Sequence, residues 1–284
     1  MSQAKIGVIG GTGLYDIEGM TDIKEIDRDT PFGKPSDSII TGKLEGTSIA
    51  FLPRHGRGHR ILPNEIPARA NIYALKSLGV EHIISINSCG SFKEELKPGD
   101  LLVPDQVIDR TQGRPNTFFG DGVVAHVSMA HPFCPALSRV IYDCAQEAGG
   151  SVHFNGTYIA MEGPAFSTCA ESRLYKSWGA DVIGMTIFPE ARLAREAEIC
   201  YASICCVTDY DSWKEEWVTA DVIISCLKKN VEISKKIIRL AAAKIPAERS
   251  CDCPVSLKSA LVTTPTTMTL EQKRKFDLLI GKYI

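Results

Sequence analysis

Ile6-Gly7-Val8-Ile9-Gly10-Gly11-Thr12-Gly13-Leu14-Tyr15 sets an apolar strand directly before a glycine turn that carries one hydroxyl. Successive backbone N–H groups in such a turn converge on one anion, and Thr12 adds an O–H donor. The stretch therefore reads as built to hold something negative at the end of a first strand. Two better-known glycine loops do not fit: Gly11-Thr12-Gly13-Leu14-Tyr15-Asp16 ends in aspartate where a dinucleotide fingerprint needs glycine, and the Gly-Lys-Ser/Thr end of a Walker loop is missing. Taken alone, the motif also reads as a tight turn needing positive φ.

Outward from that turn the chain repeats strand and helix units. Ile39–Ile40 and Thr47–Leu52 read as short strands about the Gly46 turn, the second closed by Pro53. Ala70, Tyr73, Ala74 and Leu78 share one face of a helix over Pro67–Leu78, ended by Gly79, and Glu81–Ile86 follows as a buried strand. Asn87-Ser88-Cys89-Gly90-Ser91 reads as a second small-residue turn. Leu101–Ile108 is strand-like with an irregularity at Pro104, residues 111–130 read as a long functional or interface loop, and Pro135–Ala148 is an amphipathic helix. Strand Val152–Ala160, helix Ala170–Trp178, strand Asp181–Met185, a helix started by Pro189, strand Cys200–Val207 and a long helix over Val218–Ala243 complete the pattern. Thr269-Leu270-Glu271-Gln272 is a capping box before a final helix. The expected organisation is a single α/β domain over residues 1–246, with a cysteine-containing extension, 247–284, packed on the same domain or on a neighbouring subunit.

A chain of 284 residues, 44% apolar and 23% charged, has the make-up of a soluble globular protein able to bury a large core. Its formal net charge of -2 leaves no broad basic field, which argues against nucleic acid or an anionic membrane as main partner. No apolar run approaches the roughly 18 residues of a membrane span, and no signal-like segment opens the chain, so a cytoplasmic location is expected. Of the ten cysteines, several sit in apolar segments where a thiol packs as a small hydrophobe. Cys251-Asp252-Cys253 lies instead in a polar, Pro-bounded segment; with no second close thiol pair or His pair beside it, a disulfide is the preferred reading and no metal is expected.

Five groups of residues carry possible chemistry. Pro53-Arg54-His55-Gly56-Arg57-Gly58-His59-Arg60 is the densest basic cluster, and Arg54 and His55 come straight off a strand, suited to gripping an oxyanion from two directions. Asn87 and Ser88 follow a strand where open α/β sheets present their ligand crevice, while Cys89 lacks a nearby His pattern to make it a nucleophile. The i, i+2 spacing of Asp209 and Asp211 puts both carboxyls on one side of a continuing strand; a raised pKa there would let one protonate a leaving nitrogen base, and a capping role is the plainer alternative. Met185-Thr186 offers an apolar surface and a hydroxyl, and Phe166-Ser167 an aromatic platform beside another.

As an ordered set, several segments resemble the 5'-methylthioadenosine phosphorylases of the trimeric purine nucleoside phosphorylase family. The matching pieces are Gly10-Gly11-Thr12-Gly13-Leu14-Tyr15, Arg54-His55-Gly56-Arg57, Cys89-Gly90-Ser91-Phe92, Met161-Glu162-Gly163-Pro164, Gly184-Met185-Thr186 and Thr208-Asp209-Tyr210-Asp211-Ser212-Trp213, with others between them. The resemblance implies a distorted mixed β-sheet, partly barrel-like, flanked by helices, and a homotrimer or dimer of trimers with sites near subunit boundaries. It implies phosphorolysis of 5'-methylthioadenosine to adenine and 5-methylthioribose 1-phosphate, with orthophosphate as co-substrate and neither cofactor nor metal.

By the same resemblance Thr12, Arg54, His55, Ser88 and Thr186 bind phosphate, Met185 holds the ribose, Phe166 and Ser167 line the base pocket, and Asp209 and Asp211 read the purine. Asp209 and His55 are the implied catalytic residues, and His126 is implied to reach the alkylthio end of a neighbouring subunit's substrate. Asn87 stands where threonine is common in animal-like members, so only Ser88 is carried into the phosphate set. The cysteine-rich tail resembles archaeal members, which can be disulfide-stabilised, and makes adenosine an acceptable second substrate. An aspartate accepts from a 6-amino group, whereas a 6-oxo purine is better served by a donor, so the Asp pair favours adenine. Two rivals stay open: phosphorolysis of 5'-methylthioinosine or of purine nucleosides generally, and nucleoside binding without turnover.

Overall fold

The computed structural model describes residues 4–11, 14, 17–214 and 220–284, with the backbone alone for 220–229. The strands are β1 Ile6–Gly10, β2 Thr21–Ile26, β3 Ile39–Leu44, β4 Thr47–Pro53, β5 His82–Ser91, β6 Leu101–Val103, β7 Gln106–Arg110, β8 Val152–Phe154, β9 Thr157–Met161, β10 Val182–Gly184 and β11 Cys200–Asp209. The helices are α1 Ala68–Ser77, α2 Pro135–Glu147, α3 Cys169–Ser177, α4 Ile187–Glu196, α5 Ala220–Lys244 and α6 Leu270–Ile280.

Successive side chains of a strand point to opposite faces, and here both faces are apolar. In β1, Ile6 and Val8 face one core and Ile9 the other; in β4, Ile49 and Phe51 oppose Ala50 and Leu52; in β11, Ala202 and Ile204 oppose Tyr201 and Val207. One core is closed by α1, α4 and α6, the other by α2 and α5. The result is a mixed sheet flanked by helices, in which β2-β3-β4-β1-β5-β10-β9-β7 form one path and β11, β6 and β8 branch from β5.

That branching makes the crevice. Strand β11 runs parallel to β5 from His82 to Gly90, so β1 and β10 must share the other edge of β5. The pairing with β1 stops at Ser85 and that with β10 begins at Gly90. Between them, residues 86–89 have no strand partner on that edge, and an opening forms at the point where the sheet changes neighbours.

A buried ion pair spans the opening. Arg54, at the end of β4, donates through Nε to Glu190 Oε1 at 2.6 Å, through Nη1 to Ile86 O at 2.8 Å and through Nη2 to Ser85 Oγ at 2.6 Å. Glu190, in α4, also accepts from Ser85 Oγ at 3.1 Å and from the Tyr201 hydroxyl at 2.9 Å. Burial works to lower the Arg54 pKa, but the contact with Glu190 outweighs it and raises the pKa above the ordinary value. Thus β4, β5, β11 and α4 are tied by one charged, fully buried network.

Several expectations are corrected by the backbone. Asn87–Ser91 is not a turn, because β5 continues through it on the support of β11. Leu101–Ile108 divides at Pro104 into β6 and β7, which join different partners, and Val152–Ala160 divides at Asn155-Gly156, both with positive φ, into β8 and β9. Strand β2 carries mostly exposed residues and so has little apolar pattern to announce it. The Thr269 capping box is present, its hydroxyl accepting from Gln272 N at 3.1 Å. Leu257, Met268, Phe276 and Leu279 of residues 247–284 sit in the same apolar core as α1 and α4. No described helix is long and apolar enough to cross a membrane. The expected disulfide is also corrected: nine cysteines are described and all are free, with Cys200 Sγ and Cys251 Sγ 3.4 Å apart, far beyond the length of an S–S bond.

Removing Glu190 would leave the Arg54 charge buried without a counter-ion, a loss of about 3–5 kcal/mol. Glu190→Ala is therefore expected to lower unfolding stability by about that amount in urea titrations at matched protein concentration; a change under about 1 kcal/mol would show that the pair does not brace the sheet.

Candidate active site

A cavity of about 500 Å³ opens where β5 is unpaired, lined by Ile86 to Gly90 and by residues at the ends of β4, β10 and β11. Strands β4 and β11 stand three strand spacings apart in the order β4-β1-β5-β11, roughly 14 Å. The sequence after β4 is basic and that after β11 is acidic, so the cavity has two chemically different ends.

At the β4 end lie Arg54, His55, His59 and Arg60, and the lining also includes Ser88 of β5 and Thr186 after β10. Arg54 borders the cavity, but its charge is already matched by Glu190. His55 donates from Nδ1 to Ile61 O at 2.9 Å, the tautomer that its carbonyl partner requires, and stacks on His59 with ring centroids 4.3 Å apart. Burial lowers the His55 pKa to about 4 against the help of that hydrogen bond, so the ring is neutral near pH 7 and offers Nε2 as an acceptor. Ser88 is exposed to the cavity on the open stretch of β5. The Thr186 hydroxyl donates to Asn87 Oδ1 at 2.6 Å, and Asn87 is held in turn by donating to Ser85 Oγ and Ser203 Oγ at 2.9 and 2.8 Å. Thr12 lies outside the described residues.

The β11 end presents Asp209 and Asp211. Asp209 accepts from the Thr208 hydroxyl at 2.7 Å and from Asp211 N at 2.8 Å, yet burial dominates and raises its pKa above the usual carboxylate range. Burial likewise raises Asp211, whose Oδ2 is buried without a hydrogen-bond partner. The chain turns there through Asp211 at φ 50, a left-handed conformation that aspartate tolerates. Close packing demands Gly90 opposite: a Cβ on it would stand 2.8 Å from Asp209 Oδ1 and 3.1 Å from Asp211 Cβ.

Met161, Phe166 and Met185 supply apolar surface to the cavity. Ser167 does not face the cavity; it is buried, donates to the Met161 sulfur at 3.6 Å and stands near Asp211. His126 is also outside the lining, its backbone N–H donating to Ala260 O at 2.8 Å. Arg114, in the long loop after β7, is a buried clamp that sequence reasoning missed. It donates to Glu162 Oε2 at 3.1 Å, to Met185 O at 2.6 Å and to Phe188 O at 3.1 Å, locking the turn after β9 to the start of α4. Neither Arg114 nor Glu190 sits in a motif; each looks locally like a loop cation or a first-turn helix acid, and only the fold pairs it.

Among known proteins, the model of the phosphorylase superfamily matches residues 5–243. The S-methyl-5'-thioadenosine phosphorylase of Geobacter sulfurreducens is 55% identical over 282 residues, covering 98% of this chain and 99% of its own, and that of Koribacter versatilis is 50% identical with 99% and 97% covered. The crystal structure of a methylthioadenosine phosphorylase sourced from an Antarctic soil metagenomic library superposes with a TM-score of 0.94 at 47% identity, covering 98% of this chain and 99% of that one. Methylthioadenosine phosphorylase from Schistosoma mansoni in complex with adenine gives 0.85 at 37% identity over 91% of this chain and 99% of that one. With one cavity whose basic and acidic ends fall on the strands that the motifs marked, the chain belongs to the S-methyl-5'-thioadenosine phosphorylase family of the phosphorylase superfamily.

Proposed function

We propose that the protein cleaves 5'-methylthioadenosine with orthophosphate, giving adenine and 5-methylthioribose 1-phosphate, as in purine and methionine salvage. The carrying observation is a single cavity lined by hydroxyl and imidazole groups together with two buried carboxyls whose pKa values are raised. The close relatives, matched along nearly their whole length, bear the same activity in their names. Orthophosphate is the co-substrate, and the chemistry calls for no classical cofactor.

The residues support this division of labour. Ser88 and Thr186 are hydroxyl donors toward an oxyanion, Thr186 doing so when it gives up its bond to Asn87. Because His55 is neutral with Nδ1–H already donated, its Nε2 suits the proton of a monohydrogen phosphate, and Arg60, with Nη2 on Ser36 O at 2.8 Å, adds positive field from the rim. Arg54 stiffens this end rather than bringing an unmatched charge to it. Thr12, next to Gly11 of the lining, is assigned to the same end from its motif.

Phosphorolysis passes positive charge through the sugar as the C–N bond weakens, and phosphate oxygens stabilise that charge as one of them attacks C1'. The departing purine must not leave as an anion. Asp209, held above the usual carboxylate range by burial, is the group to deliver or relay a proton to N7, and Asp211, two residues on in the same lining, is assigned to reading the purine from its motif. Met185 lies along the ribose and Phe166 against the base, with Ser167 supporting Asp211 from behind. The apolar surface also leaves adenosine as a second substrate, a hydroxyl being weakly rejected by such a pocket.

His126 is not among the described residues lining this cavity, which favours a role across a subunit boundary. Its neighbour Val124 is 43% exposed and is bonded through its backbone to Val262, itself 62% exposed, a small apolar face beside the histidine. A homotrimer, or a pair of trimers, in the cytoplasm accommodates these features. Light scattering is expected to give a trimer or its double, and His126→Ala is expected to raise KM for methylthioadenosine more than for adenosine; a monomer with equal KM changes would remove that role.

Incubation with methylthioadenosine, methylthioinosine, adenosine and inosine, with and without phosphate, is expected to release free base and sugar phosphate only when phosphate is present, with methylthioadenosine preferred. Tight binding with no base release would favour a sensor instead. Asp209→Asn is expected to lower kcat/KM for methylthioadenosine by about 10²-fold or more and to improve the relative use of 6-oxo substrates.

The same substitution carries a stability signature. A carboxyl whose folded pKa is raised costs nothing below its unfolded pKa and destabilises increasingly as pH rises through the folded value. Asp209→Asn is thus expected to be more stable than the parent at pH 7 and equal to it at low pH, read from paired unfolding curves. Loss of stability at both pH values would point to a structural carboxylate.

A further inference from the structure

The cysteines that sequence spacing left as an isolated pair are brought into a group of four. Cys134 precedes α2, Cys200 opens β11, and Cys251 and Cys253 belong to the segment after α5; their sulfurs all lie within 4.8 Å of one another. Among the described residues this is the one group of three or more potential metal-binding side chains so close together. The second thiol pair whose absence argued against metal is supplied by the fold, from positions 134 and 200.

We propose that Cys134, Cys200, Cys251 and Cys253 form a tetrathiolate site for one zinc ion, which fastens the C-terminal segment to the sheet. Four thiolates about 2.3 Å from a common cation stand about 3.8 Å from each other, and the observed spread, from 3.4 Å for Cys200 and Cys251 to within 4.8 Å for all, brackets that value. Soft sulfur donors in a closed, tetrahedral set of four are the usual surroundings of structural zinc.

The surroundings favour thiolate. Cys134 is the residue before the first turn of α2, where the helix dipole favours negative charge on its sulfur. A divalent cation offsets part of the charge of four thiolates. Arg195 Nη1 stands 3.7 Å from Cys253 Sγ and offsets part of the remaining negative charge. Binding releases the thiol protons to solvent and oxidises nothing.

This site takes no part in turnover. Cys200 and Asp209 are at opposite ends of β11, roughly 30 Å apart at about 3.3 Å per residue, so the inference stands or falls separately from phosphorolysis. Protein purified without added chelator is expected to hold one zinc per chain by elemental analysis and to have the intact mass of a fully reduced chain. Cys251→Ser with Cys253→Ser is expected to abolish the zinc, and cobalt(II) added to chelator-stripped parent protein to give the visible bands of tetrahedral thiolate coordination, which zinc alone then bleaches. A metal-free chain lighter by the hydrogens of two disulfides, a reduced chain that takes up neither zinc nor cobalt, or zinc retained in the double variant would each overturn the proposal.

Discussion

The contact between Arg54 and Glu190 is the constraint on which the rest of the pocket depends. Both ions are almost wholly buried, so each is tolerable only because the other is present and because Ser85, Tyr201 and the Ile86 carbonyl complete their hydrogen bonds. The pair joins the end of β4 to α4 across the place where β5 lacks a strand neighbour. An opening in a sheet is a weak point, and here it is crossed by charge rather than filled by apolar side chains. The cost is an arginine whose positive charge is largely committed before any anion arrives.

That commitment leaves neutral hydroxyl, amide and imidazole groups, with Arg60, as the polar lining on the β4 side of the cavity. Thr186, Asn87, Ser85 and Ser203 form a chain of hydroxyl and amide groups leading from the cavity into the core. The opposite end works by desolvation: Asp209 and Asp211 are raised by burial, in spite of the hydrogen bonds they receive. One cavity thus holds hydroxyl and imidazole groups and a pair of carboxyls whose pKa values burial raises, with β4 and β11 about three strand spacings apart.

How much of this was legible depends on the range of the interaction. Strand ends and their small polar residues announce themselves locally, so His55, Ser88, Thr186, Asp209 and Asp211 were all marked by position, and the cavity gathers them. Arg114 and Glu190 were not, because their meaning lies in partners 48 and 136 residues away. The reading of Asn87–Ser91 as a turn failed for a related reason: small polar residues weaken a strand signal, and the pairing with β11 that overrides it is a tertiary fact. The cysteines repeat the lesson, since residues 251 and 253 look solitary until residues 134 and 200 arrive beside them.

The unpaired stretch of β5 has a consequence for how this pocket can change over evolutionary time. Its β5 wall, Ile86 to Gly90, is a strand whose backbone is held on one side by β11, while other lining residues come from connections, Ile61, Leu62 and Pro63 in one and Pro164 and Phe166 in another. Backbone does not alter its chemistry when side chains are exchanged. Variation in the connecting segments can therefore retune which nucleoside is admitted while the platform beneath it stays intact, so specificity is able to drift without endangering the architecture.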